Sequence, residues 1–365
     1  MLLESFRPLA REGGWLWTGD DLTESVSLSE DAVSERLLTD LSLTLGPIFI
    51  QSQLALPMGF AGKADKITRS LQYNDLKEIY DSAHGLTTDK LKAVLRYVGS
   101  LIQGTAIRGI VFAYDEAQNI SDNASERQFP LSVLLDVFQS LQRSPGGLPY
   151  ILVLTGLPTL FPKLNETRTY TERMFDVFTL DKLTPDESRE AIMKPVQDND
   201  CPATFSENAV NQIVDMSGGY PYFIQFICKE FFDIVIAKLG AGEEPRVPKS
   251  DIIRKLDQRF FSGRWDKASD RQREFMMAAA ILPGSKKEFT VQEIVQTSRD
   301  ILGNQKKTFS TASAGMMLKT LTELGFIFRN RRGRYSFTVP LLDEFIVRQM
   351  GIASNLPAPF DGSSA

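Results

Sequence analysis

Two uninterrupted apolar runs constrain this chain more than any other feature. Gly109–Tyr114 reads Gly-Ile-Val-Phe-Ala-Tyr, and residues 150–155 read Tyr-Ile-Leu-Val-Leu-Thr. Both are short, partly β-branched or aromatic, bounded by turn residues and free of polar alternation, as expected of strands buried on both faces. Between them, residues 130–143 open on Pro130 and carry helical spacing, and Ser144-Pro145-Gly146-Gly147 stops the helix. Strand, crossover helix, strand is the unit of a parallel sheet. The first 180 residues are therefore expected to form an α/β domain with a mainly parallel sheet.

The flanking segments agree with that class. Leu2, Leu3, Phe6, Leu9 and Ala10 have helical spacing that ends at Gly13-Gly14, and Trp15-Leu16-Trp17-Thr18 reads as a strand. Ser29 followed by Glu30-Asp31 opens a helix with Val33, Leu37, Leu38 and Leu41 on its apolar face. Residues 86–104 form another, with Thr87 or Thr88 as N-cap, whereas 46–80 resist assignment. Residues 175–180 are expected as a further strand. Thr184-Pro185-Asp186-Glu187 is a strong helix start, after which the chain turns all-helical: 206–216, then 221–239 beyond a Gly218-Gly219 hinge, then a linker over 240–248. Residues 251–350 end in helix, short strand, the turn Arg331-Arg332-Gly333-Arg334 and a second strand, the order of a winged helix. The expected domains are an α/β core (1–182), a helical lid (183–240), a winged-helix domain (251–350) and a disordered Pro-, Gly- and Ser-rich tail (351–365).

Composition limits the chemistry. Of 365 residues 42% are hydrophobic, enough for sizeable cores, but there are only two cysteines, Cys201 and Cys228, and one histidine, His84. That leaves no material for a zinc site, a disulfide framework or histidine catalysis, so any reaction rests on carboxylates, hydroxyls, Arg, Lys or backbone amides. The N-terminus has no basic segment leading into a long apolar one, and apolar runs such as 275–282 fall short of the roughly 18 residues of a spanning helix. The expectation is a soluble cytoplasmic protein without membrane contact.

Asp115-Glu116 follows directly on the first buried run. Carboxylates at the C-terminal edge of a parallel strand sit in the crevice where open α/β sheets bind ligands. In phosphoryl transfer the first can hold Mg²⁺ and the second can orient and deprotonate a water; the bland alternative is a strand-end turn solvated by acids. The second buried run ends in Thr155, followed by Gly156-Leu157-Pro158. A carboxylate pair with a hydroxyl on the neighbouring strand resembles the Walker B and sensor positions of AAA+ ATPases and their STAND relatives. Arg168 and Arg173 lie where that family carries a phosphate-reaching arginine, and Arg173 has the closer spacing. Ser217-Gly218-Gly219-Tyr220-Pro221 resembles the G-x-P lid motif, with Gly219 and Pro221 in the matching places. A glycine stop before a proline-started helix explains the same residues without a ligand.

One part of the resemblance is missing from the sequence. No G-x-x-x-x-G-K-[ST] occurs; Gly59-Phe-Ala-Gly62-Lys63-Ala64 has the wrong glycine spacing and no hydroxyl for Mg²⁺. The opening residues up to Gly14-Trp15 reproduce the helix that succeeds such a loop, so the core is expected to be N-terminally incomplete. Two readings stay open: the loop lies upstream, or this is a degenerate ATPase. A DEAD-type helicase, suggested by Asp115-Glu116-Ala117-Gln118, would need a second α/β domain where helical patterns stand.

The formal net charge of −5 conceals an asymmetry: residues 251–350 carry 18 basic and 11 acidic side chains. Lys306, Lys307 and Lys319, with Arg329, Arg331, Arg332 and Arg334 on the expected wing, are candidates for DNA phosphates; the alternative is a winged helix packed on protein. The resemblance thus implies a nucleotide-dependent switch that positions a winged-helix domain on DNA or a protein partner. Asp115 would hold Mg²⁺, Glu116 would position water, Thr155 would sense the γ-phosphate of ATP, Arg173 would touch phosphate, and Gly219 and Pro221 would line the adenine. Self-association through the core is a further implication. The alternative function is a non-hydrolysing ATPase-fold adaptor for DNA or protein.

Overall fold

A computed structural model describes residues 2–48, 50–54, 66–143, 148–168, 170–199, 205–238, 247–283, 288–302, 308–331 and 333–351. The chain divides into two compact units, Met1–Phe178 and Thr179–Ala365.

The first unit opens with α1 (Leu2–Glu12), β1 (Trp15–Thr18) and α2 (Glu30–Leu45), where Ser29 Oγ caps α2 by accepting from Ala32 N–H at 3.1 Å. A hairpin comes next, β2 (Ile50–Leu54) against β3 (Lys66–Ser70), then α3 (Tyr73–Ser82) and α4 (Thr87–Ile102). The segment 46–80 without a clear pattern is therefore a polar hairpin plus a helix. Beyond it lie β4 (Gly109–Tyr114), α5 (Pro130–Gln142), β5 (Tyr150–Leu154), α6 (Leu160–Thr167) and the single turn α7 (Thr171–Met174).

The sheet runs β1-β4-β5, all parallel, with Trp15 opposite Gly109 and Ile110 opposite Tyr150. Every residue of the central strand β4 is buried, which is why its sequence lacks alternation. Phe112 meets Phe138 of α5 and Tyr150 of β5 edge-on, at 5.0 and 5.7 Å between ring centroids. Replacing so enclosed a ring with Ala costs about 3–5 kcal/mol.

The strand expected over 175–180 does not form: this stretch is extended without a ladder partner among the described residues, and Val177, Phe178 and Leu180 are exposed. An apolar run becomes a strand only where a neighbouring edge lies alongside it, and among the described residues none does.

The second unit contains α8 (Pro185–Asp198), α9 (Glu207–Ser217), α10 (Pro221–Lys238), α11 (Lys249–Leu256), a π-helical turn (Asp257–Phe261), α12 (Ser262–Trp265), α13 (Asp270–Ala280), α14 (Val291–Leu302), α15 (Thr311–Glu323), β6 (Ile327–Arg331), β7 (Arg334–Phe337) and α16 (Leu342–Gln349). Thr184 and Glu187 cap α8 reciprocally. The antiparallel β6–β7 hairpin gains a third line where Phe289 and Tyr335 exchange backbone hydrogen bonds of 2.8 and 2.9 Å. One hydrophobic cluster runs from Ile192 through Phe223, Phe261 and Phe275 to Ile346, so the helices before and after residues 240–248 share a core. Cys228 packs against it, whereas His84 is exposed. Cys201, the Gly59–Lys63 segment and the tail from 352 lie outside the described residues. Among the described residues no helix is long and apolar enough to cross a membrane.

Candidate functional site

The C-terminal ends of the three parallel strands meet at Asp115. Its Oδ1 accepts from the Thr155 hydroxyl at 2.7 Å and from Glu116 N–H at 2.8 Å; no described donor reaches Oδ2. Thr155 N–H donates to Tyr114 O and Ala117 N–H to Thr155 O, both at 2.9 Å, so the turn after β4 is stitched to the end of β5. Glu116 is exposed and left-handed (φ 53°), an uncommon state for a residue with a Cβ. The Gln118 amide donates to its carboxylate and accepts from Leu157 N–H at 3.0 Å.

The end of β1 completes the edge. Gly19 has φ +111°, and a Cβ there would lie 2.1 Å from Ala113 O, so only glycine lets β1 turn away so close to β4. The turn brings Asp20 and Asp21 beside Asp115: Leu22 N–H donates to Asp115 O at 2.9 Å, and Asp21 bridges to Asp115. Asp20 sits below its usual pKa because its carboxylate accepts from Asp21 N–H. The recognisable signal for these residues was Gly-Asp-Asp directly after a strand.

Behind the edge a polar chain runs from the buried Tyr114–Asp40 pair through Arg36 to the exposed Asp20. Tyr114 Oη donates to Asp40 Oδ2 at 2.9 Å, Arg36 Nε lies 3.0 Å from Asp40, and Arg36 Nη2 reaches Asp20 at 3.3 Å. Burial raises the Asp40 pKa against the opposing charge of Arg36 and the Tyr114 hydrogen bond; burial beside Asp40 raises that of Tyr114 strongly. Lys163 on α6 donates to Gln118 O at 2.5 Å, and its partial burial lowers its pKa. These residues carry no motif-level signal, since their roles depend on tertiary neighbours.

The two candidate arginines separate clearly. Arg168 Nε and Nη2 bind Asp136 at 3.2 and 2.9 Å, and Tyr170 donates to the same carboxylate, so Arg168 is an anchor for the α6–α7 corner. Arg173 is exposed and has no side-chain partner among the described residues.

In the second unit Gly219 is buried with φ +79°, and its carbonyl accepts from Leu183 N–H at 2.8 Å; a Cβ there would stand 2.2 Å from Leu183 O. Pro221 and Tyr222 are exposed at the start of α10. Of the basic candidates, Lys319 is exposed at 4.0 Å from Glu323, Arg334 lies 4.0 Å from Glu293, and Arg329 is exposed without a described partner. Arg331 ends β6; Lys306, Lys307 and Arg332 lie outside the described residues. Among the described residues no cluster of three or more His, Cys, Asp or Glu could hold a metal on its own.

A family described as a domain of unknown function (DUF8462) matches residues 258–346. No curated protein matches the chain significantly. Among solved structures, the Walker-type ATPase PABY2304 of Pyrococcus abyssi aligns over 93% of this chain and 86% of its own at 14% identity, with a TM-score of 0.52. The Aeropyrum pernix ORC2 protein aligns over 96% and 83% at 12% identity, TM-score 0.49, and the Aeropyrum pernix ORC1 protein, solved in complex with DNA, over 96% and 83% at 11% identity, TM-score 0.42. The chain has the α/β fold of this Walker-type ATPase.

Proposed function

We propose that this chain is an AAA+/STAND-type nucleotide-dependent module of initiator-like build, in which a carboxylate site at the end of a parallel sheet governs a winged-helix-bearing C-terminal region. The observation that carries the reading is the 2.7 Å hydrogen bond from Thr155 to Asp115, which joins a hydroxyl and a carboxylate across adjacent strand ends. The residues present fit Mg²⁺: the ion commonly takes one or two protein carboxylates plus phosphate and water, and Asp115 has one oxygen oriented by two donors and the other open. Bound ATP·Mg²⁺ would supply the transferable phosphoryl group. Asp115 would hold the metal, Thr155 would fix the Asp115 rotamer, Glu116 would orient water, and Arg173 would offer an unspent guanidinium.

The residues present do not fit the triphosphate equally well. The sequence has no glycine–lysine loop, Arg168 is committed to Asp136, and Lys163 to a backbone carbonyl. The outer edge of β5 is unpaired among the described residues, and Phe6 and Leu9 of α1 are 47% and 61% exposed.

A second reading, a non-hydrolysing adaptor, is favoured by α15. The helix exposes Ala312, Gly315, Met316 and Thr320, with Lys319 beside Glu323. That nearly neutral face suits protein better than DNA, leaving Arg329, Arg331, Arg332 and Arg334 as the phosphate-contacting candidates. Calorimetry with ATP·Mg²⁺ tests the first reading. Salt-dependent DNA binding that disappears when these four arginines become Ala tests the DNA arm, and its absence leaves a protein partner.

A further inference from the structure

The π-helical turn Asp257–Phe261 points its side chains at two separate parts of the second unit. Asp257 is buried and takes a two-pronged contact from Arg348 of α16, at 3.0 Å from Nε and 2.7 Å from Nη2. Phe260 lies 5.1 Å from both Tyr222 and Phe223 in the first turn of α10. Phe261 reaches both ways: Phe223 at 5.9 Å, and Phe345 of α16 at 5.0 Å, stacked at 27°. Trp265 closes the series against Phe345 at 5.7 Å. Phe223, Phe261 and Phe345 are each at most 1% exposed, so these rings pack without intervening water.

A π turn inserts an extra residue into a helical path and rotates the side chains after it out of phase with those before it, which lets consecutive aromatic residues serve opposite neighbours. Rings packed edge-on and stacked resist independent displacement, because moving one leaves a void beside the next.

We infer that this π turn is a coupling joint that makes the Gly219–Pro221 turn and the C-terminal region from α13 to α16 a single mechanical body. A ligand or partner that engages Pro221 and Tyr222 therefore acts on α16 through these rings and the Asp257–Arg348 pair. The coupling is independent of whether that ligand is a nucleotide.

Native-state hydrogen exchange of the full chain in rising denaturant is the test. In the unmodified protein, slow amides in α10 (224–227) and α16 (345–349) converge on one opening isotherm. Phe261→Leu accelerates exchange in both segments by a similar factor, about tenfold (~1.4 kcal/mol at RT ln 10), and Gln225→Ala, an exposed control, accelerates neither. Should Phe261→Leu fail to fold, Arg348→Gln serves in its place, and the isotherms of the unmodified protein decide on their own. Separate isotherms for α10 and α16, or acceleration of one segment alone, overturn the inference.

Discussion

The Thr155 hydroxyl donates to Asp115 Oδ1 at 2.7 Å, tying the end of β5 to the carboxylate at the end of β4. Thr155 is therefore expected to act by fixing the Asp115 rotamer, leaving Oδ2 outward. Thr155→Val keeps the β-branched shape and loses the donor, so stability falls by about 1 kcal/mol. For a unit the size of Met1–Phe178 that is about 2–4 °C in Tm by thermal melt. Thr155→Ser restores it; equal melting of the Val and Ser variants would contradict the role.

Arg168 and Arg173 should behave oppositely. Arg168→Ala removes a half-exposed pair to Asp136 and lowers stability by up to about 1 kcal/mol, discounted for solvent screening. Arg173→Ala stays within about 0.5 kcal/mol of the parent. For Asp136, burial alone would raise the pKa, but hydrogen bonds from Arg168 and Tyr170 and the Arg168 charge outweigh it and hold the pKa low. A carboxylate with a lowered folded pKa stabilises above its unfolded value, about 3.9, and loses that contribution as pH falls. The Tm gap between parent and Arg168→Ala should accordingly be full near pH 6 and shrink below about pH 4.

Much of the first unit was legible because β4 is buried on both faces and its sequence shows it, and because Ser29 stands where its side chain caps α2; Thr184 does the same for α8 in the second unit. Residues 46–80 were not, since Gln51, Ser52, Gln53, Lys66, Thr68 and Arg69 give the β2–β3 hairpin no apolar rhythm. Residues 175–180 misled for the opposite reason: Val177, Phe178 and Leu180 look like a strand, yet no ladder partner lies beside them among the described residues. At the site, Asp115, Glu116 and Thr155 were readable from strand-end position. Asp20 carried only the Gly19-Asp20-Asp21 signal after a strand, and Gln118, Lys163 and the Asp40–Tyr114 pair carried none, because each acquires its role from tertiary neighbours.

Gly219→Ala should be severe. The backbone is left-handed, and the new Cβ would fall 2.2 Å from Leu183 O. A loss of about 2–4 kcal/mol is expected, visible as a lowered denaturation midpoint. An unchanged midpoint would mean that the turn rearranges freely.

Cys228 should be unreactive in the folded protein. Burial pushes its thiol up to about 12, so little thiolate exists at pH 8. In a Cys201→Ser background, Ellman's reagent should label it at least about a hundredfold more slowly than free cysteine until denaturant is added. Labelling at the free-cysteine rate would contradict its core position.

The central claim, a metal-nucleotide site at Asp115, is tested most directly by titrating the chain with ATP in the presence and absence of Mg²⁺ by calorimetry, beside Asp115→Asn. The account predicts one Mg²⁺-dependent site per chain with a Kd on the order of 0.1–1 mM, about −4 to −5.5 kcal/mol, weakened about tenfold or more in the variant. No Mg²⁺-dependent heat at millimolar ATP, or equal binding by Asp115→Asn, would contradict it and leave the adaptor reading.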